Sequence, residues 1–186
     1  MSCKDKIENY YYPSFEKVKE KNLDTLKLET FKNYEDLLNK LENINYKGAE
    51  YSLLHIENKR ETYNLMLTTR HGFCFSSRMV KRNNLITICE DSILKNDKLF
   101  HVNQLSDILE KDLKNNGKNV KYADNTDSLI ISLALKNPEN FKHLEKYLIN
   151  IIEKFNELNI NKEYQLNLQI DRKFFFYRDL FKNLPK

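Results

Sequence analysis

The stretch from Ser128 to Leu158 constrains the fold most, because it joins an apolar strand directly to a long amphipathic helix. The strand segment Ser128–Leu135 is short, rich in β-branched residues and nearly free of polar groups, which indicates a buried central strand. Residues 137–139, Asn-Pro-Glu, then predict a helix start. Asn can accept a hydrogen bond from a free backbone N–H, and Pro fits the first helical position.

Beyond this start, apolar residues recur at steps of three and four, which is typical of one buried helical stripe. The members of this stripe are Phe141, Leu144, Leu148, Ile151, Ile152, Phe155 and Leu158. A helix of this kind must cover a sheet. We therefore predict an α+β fold with a single domain over residues 1–186, in which residues 1–28 form a loosely packed N-terminal arm. The expected sheet is mainly antiparallel, with about six or seven strands and the helices largely on one face.

The segments that precede this unit predict an antiparallel meander, because four strand-like stretches follow one another with short polar links. We expect these strands at 49–57, 62–69, 73–80 and 85–90. Residues 91–100 are expected to form a polar connection, and residues 119–123 to form a second hairpin with 128–135. The remaining predicted elements are helices at 30–44 and 103–116 and a strand at 164–170.

Composition limits the class of protein. Hydrophobic residues make up 40% of the chain, which excludes wholesale disorder, and the formal net charge of +4 permits contact with acidic partners without requiring it. The three cysteines show no CxxC spacing, and no apolar signal segment lies near Met1. A cytosolic protein with reduced thiols is therefore expected. No run approaches the ~18 apolar residues of a membrane span, so no membrane association is expected.

Several kinds of chemistry lack the residues that they need. Walker loops and dinucleotide fingerprints require clustered glycines, whereas this chain has three glycines, all isolated. No pair of histidines or cysteines has the spacing of metal ligands on one helical turn or tight loop. We therefore expect no catalytic residue, no metal site and no cofactor.

One acidic motif supports an enzymatic alternative. Glu57 and Lys59 form an acid-x-Lys pair at the end of an apolar strand, and metal-dependent nucleases use such a pair. These enzymes also need an acid from a neighbouring strand. A charged strand end followed by a turn is the favoured interpretation, because so short a motif arises by chance.

A basic interval is the main candidate for binding. Between Thr62 and Cys89 the chain contains no acidic residue. The predicted partner-binding residues of this interval are Arg70, His71, Arg78, Lys81 and Arg82. Phe73 and Phe75 lie among them, so stacking on nucleic-acid bases is an open alternative to a role in the core.

These observations favour a non-catalytic cytosolic protein of the immunity or adaptor type. It is expected to bind another protein that has an acidic surface, through its own basic residues. A module that binds RNA or DNA is the first alternative. A metal-dependent nuclease that uses Glu57 and Lys59 is the second.

Overall fold

The computed structural model describes residues 8–21, 23–59, 61–69, 81–135, 137–158 and 166–171. The strands among these residues are β1 (Glu8–Tyr12), β2 (Thr25–Lys27), β3 (Tyr51–Asn58), β4 (Glu61–Thr68), β5 (Leu85–Cys89), β6 (Ser92–Lys95), β7 (Lys98–His101), β8 (Ile130–Ala134) and β9 (Asn167–Ile170). The α-helices are α1 (Phe15–Glu20), α2 (Tyr34–Tyr46), α3 (Leu105–Leu113) and α4 (Leu144–Glu157).

All nine described strands belong to one sheet, which confirms the α+β class. The sheet has the order β2-β3-β4-β9-β8-β5-β6-β7, and β1 pairs with β4 outside this path. Among the described strands, three pairings are antiparallel and five are parallel. The sheet is therefore mixed and holds more strands than the sequence predicted. The strands β1 and β2 belong to the N-terminal arm, and both pair with strands of this sheet.

The unit from β8 to β9 holds the two halves of the sheet together. As predicted, β8 is a central strand, because it pairs with β5 on one side and β9 on the other. Both pairings are parallel, and α4 forms the crossover that a parallel connection between adjacent strands requires. The predicted helix start at residues 137–139 opens a 3-10 turn, Pro138–His143, which leads into α4 at Leu144.

The predicted meander is correct for its first hairpin and wrong for its last strand. β3 and β4 pair antiparallel, as expected. β5, however, is separated from β4 in the sheet by two strands, β9 and β8. The reason is that β5 pairs in parallel with the apolar strand β8. The predicted strand at 73–80 lies outside the described residues.

Residues 91–100 form a hairpin, β6–β7, where the sequence predicted a polar connection. Its two central turn residues, Asn96 and Asp97, have φ values of 50° and 60°. Positive φ at both positions is the signature of a type I′ turn, which favours Asn and Asp. The turn chemistry was therefore present in the sequence.

The predicted second hairpin is also wrong. Residues 119–123 form turns and no strand. Their backbone groups bond to side chains instead: the Asn119 and Ala123 N–H groups donate to the side chains of Asn115 and Asp112. These bonds occupy backbone groups that a strand ladder would need.

Three of the described helices, α2, α3 and α4, share one hydrophobic core with a single face of the sheet. The predicted stripe of α4 is confirmed, since Leu144, Leu148, Ile151, Ile152 and Phe155 are all buried. In α2, the Asn33 side chain accepts a hydrogen bond from the Asp36 N–H and caps the helix.

We predict that Leu148→Ala lowers the free energy of unfolding by about 2–5 kcal/mol, because it removes a fully buried side chain and leaves a cavity. Denaturant melts of this variant should be compared with those of Lys146→Ala, which changes an exposed residue of the same helix. A change no larger than that of the Lys146 control would contradict this packing of α4.

Candidate interaction surface

Two of the five predicted partner-binding residues lie in the described part of the chain. Lys81 and Arg82 stand at the turn that leads into β5, with side chains 68% and 79% exposed. Lys81 Nζ lies 2.8 Å from Asp124 Oδ2, and Arg82 Nη1 lies 2.5 Å from Asp97 Oδ2. The other three, Arg70, His71 and Arg78, lie outside the described residues. The partner-binding role of the five stays a prediction.

Asp124, the ion-pair partner of Lys81, belongs to a loop, residues 114–124, that follows α3. It has no helix or strand of its own, yet it folds back on itself. The Asn115 side chain donates to the carbonyls of Asn119 and Ala123 and accepts from the Asn119 N–H. Gly117 has a φ of 73°, and a Cβ there would lie 3.4 Å from the Asp124 carbonyl oxygen. The positive φ is what requires glycine here, because a residue with a Cβ is strained in this backbone conformation.

A buried ion pair lies at the base of the loop. Lys95 Nζ on β6 and Asp112 Oδ2 on α3 are 2.8 Å apart, and their side chains are 5% and 0% exposed. Lys95 also donates to the Asn83 carbonyl at 2.6 Å, and Asp112 Oδ1 accepts from the Ala123 N–H at 2.7 Å. Burial raises the pKa of the Asp112 carboxyl and lowers that of the Lys95 ammonium. The hydrogen bonds tie the turn before β5, the strand β6, the helix α3 and the loop together.

Asp124 joins the loop to the turn before β5. Its carboxylate accepts hydrogen bonds from Lys81, Asn83 and Asn84, and these bonds lower the pKa of the Asp124 carboxyl. In return, the Asp124 N–H donates to Asn84 Oδ1 at 2.8 Å. A further bond runs from Asn96 Nδ2, in the β6–β7 turn, to the Lys121 carbonyl.

Three chain segments, 81–84, 95–98 and 115–124, thus form one hydrogen-bonded surface, which we call the loop platform. Its exposed residues include the lysines Lys118 and Lys121, neither of which forms an ion pair with a described residue. Between them, Val120 is 87% exposed. An exposed apolar side chain flanked by cations, on a well-anchored loop, suits contact with another macromolecule.

The residues of the nuclease alternative have a different arrangement. Glu57 is exposed near the end of β3, and its Oε1 lies 3.3 Å from His55 Nε2. The β4 residue opposite Glu57 is Thr62, which supplies no carboxylate. Lys59 lies in the β3–β4 turn with a φ of 53°. Within the described ranges, no group of three or more His, Cys, Asp or Glu side chains could hold a metal ion.

Residues 119–123 of the loop platform were expected to form a strand, so the platform itself was not predicted. A signal was available in the polar run at 114–119, Lys-Asn-Asn-Gly-Lys-Asn, which ends α3 and favours turns. The residues that follow this run contact the turn of Lys81 and the β6–β7 turn, since Asp124 accepts from Lys81 and the Lys121 carbonyl accepts from Asn96.

Comparison with known proteins gives no match to a protein-family model, to a curated protein or to a solved structure. Of the helices that the structure describes, none is long and apolar enough to cross a membrane.

We predict that Asp112→Ala lowers the free energy of unfolding by about 3–5 kcal/mol, because it leaves the Lys95 ammonium buried without its counter-charge. The matched control is Glu110→Ala on the same helix. Its partner is Lys114 in an exposed pair that solvent screens, so only a small loss is expected. Equal losses in denaturant melts of the two variants would contradict the structural role of the buried pair.

Proposed function

We propose that this chain is a non-catalytic binding protein that docks the loop platform on an acidic surface of another protein. The observation that carries the proposal is the anchored loop 114–124, in which Val120 is exposed between Lys118 and Lys121. A cytosolic immunity or adaptor protein is the type that we favour, since such proteins act by covering a partner's surface.

The anchoring of the loop supports a role in recognition. A loop that is already held in its bound shape loses less conformational entropy when a partner binds. Three loop N–H groups donate to the side-chain oxygens of Asn115, Asp112 and Asn84, and these bonds provide the preorganisation. Lysines at the rim of such a surface accelerate association with an acidic partner, and they make that association sensitive to salt.

The mixed charge of the platform favours a protein partner over nucleic acid. Lys81 and Arg82 each lie beside an aspartate, so carboxylates are interspersed among the cations. Nucleic-acid binders depend on dense positive charge that neutralises several phosphates at once, and nearby carboxylates oppose this. An apolar contact at Val120 and a charged rim resemble the composition of protein interfaces.

The test is a triple charge reversal, Arg82→Glu, Lys118→Glu and Lys121→Glu, in a chain used as affinity bait in an extract of its host cell. The matched control reverses Lys40, Lys47 and Lys146, three exposed lysines outside the platform, and gives the same change in net charge. We expect wild type and control to capture the same acidic protein, and the platform variant to lose it.

Nuclease treatment of the extract separates the two classes of partner. Capture of the protein should survive this treatment. Capture that disappears with nuclease, together with salt-dependent binding of a mixed-sequence oligonucleotide, would favour the nucleic-acid alternative. Equal capture by the platform variant and the control variant would contradict the proposal.

A further inference from the structure

A cleft of about 470 Å³ lies where the turn after β2, the end of β3 and the start of α4 meet, away from the loop platform. Its volume falls within the range of about 300–1,000 Å³ that is usual for ligand pockets.

The floor of the cleft is apolar. Leu28 and Ile56 are buried beneath it, while Phe31 and Phe141 are half-buried and pack against the hydrophobic core. The ring of Phe141 also contacts the Tyr34 ring, with centroids 6.4 Å apart, so the aromatic wall is supported from behind. An apolar group of a ligand that packs on these rings would remove apolar surface of both the ligand and the protein from water, which favours binding.

The rim of the cleft is acidic. Glu29, Glu57 and Glu145 line it together with a single cation, Lys142. Neither Glu29 nor Glu145 forms an ion pair with a described residue. Three carboxylates against one ammonium therefore leave a net negative charge above an aromatic and aliphatic floor.

We propose that this cleft binds an organic cation, an ammonium or guanidinium group joined to an apolar body. The apolar body lies on Phe31 and Phe141, and the cation lies toward Glu29 and Glu145. Carboxylates form charge-assisted hydrogen bonds with such a group, and aromatic faces attract it as well. An anion of the same shape meets the carboxylates and is repelled.

The experiment titrates the full-length chain with 2-phenylethylamine and follows the NMR chemical shifts of the cleft residues. The neutral analogue 2-phenylethanol and the anion phenylacetate serve as ligand controls. Saturable shifts at Phe31, Ile56 and Phe141 are expected with the amine, weaker shifts with the alcohol and none with the anion. An acetylated Phe-Lys amide is the second arm: tighter binding than the amine assigns the cation to a polypeptide, and weaker binding assigns it to a small molecule.

Two variants test the role of charge in opposite directions. Glu29→Gln with Glu145→Gln should weaken amine binding roughly three- to tenfold, whereas Lys142→Glu should tighten it. Glu16→Gln with Glu20→Gln, on the exposed side of α1, is the matched control and should leave binding unchanged.

The proposal is overturned if the alcohol binds as tightly as the amine, or if both charge variants bind like wild type. Shifts that map outside the cleft would also overturn it. Cleft shifts that follow protein concentration instead of amine concentration would show that a second copy of the chain occupies the cleft, which contradicts the proposal as well.

Discussion

The arrangement of one half of this molecule depends on two opposite charges that are almost completely removed from water. Taking Lys95 and Asp112 out of solvent costs several kcal/mol for each ion, and their attraction offsets this only when further hydrogen bonds complete the pair. The Asn83 carbonyl and the Ala123 N–H supply those bonds. These groups come from separate segments. The ion pair and its hydrogen bonds therefore hold the turn before β5, strand β6, helix α3 and the loop 114–124 in place relative to one another.

The β8–α4–β9 unit transmits this order to the rest of the sheet. β8 lies between β5, which begins beside the loop platform, and β9, which contacts β4 of the other half. The acidic cleft lies at β3, in that other half, so the two candidate surfaces are separated by β4, β9 and β8 in the strand order. Their charges are opposite as well. The one sheet therefore keeps the loop platform and the acidic cleft apart.

The local sequence pattern predicted which elements form better than it predicted which strands pair with one another. The stripe of α4 and the buried β8 follow from periodicity and from a run of apolar residues, both of which depend on local sequence. The parallel pairing of β8 with β9 depends on a crossover through α4, whereas the parallel pairing of β8 with β5 closes over β6, β7 and α3. The apolar character of β8 on both faces was the sequence signal for its parallel neighbours. The loop platform could not be predicted in this way. Its bonds join Asp112 to Ala123 and Asn84 to Asp124, side chain to backbone, and no periodic pattern records such contacts.

Native-state hydrogen exchange of the loop amides measures whether a loop without helix or strand is held as firmly as the elements around it. The amides to follow are those of Asn119, Ala123 and Asp124, which donate to side chains at 2.7–2.8 Å. We expect these amides to exchange slowly, with protection close to that of the buried turns of α3. Exchange at the rate of an unstructured peptide would contradict the anchored loop and, with it, the preorganisation on which the proposed function depends.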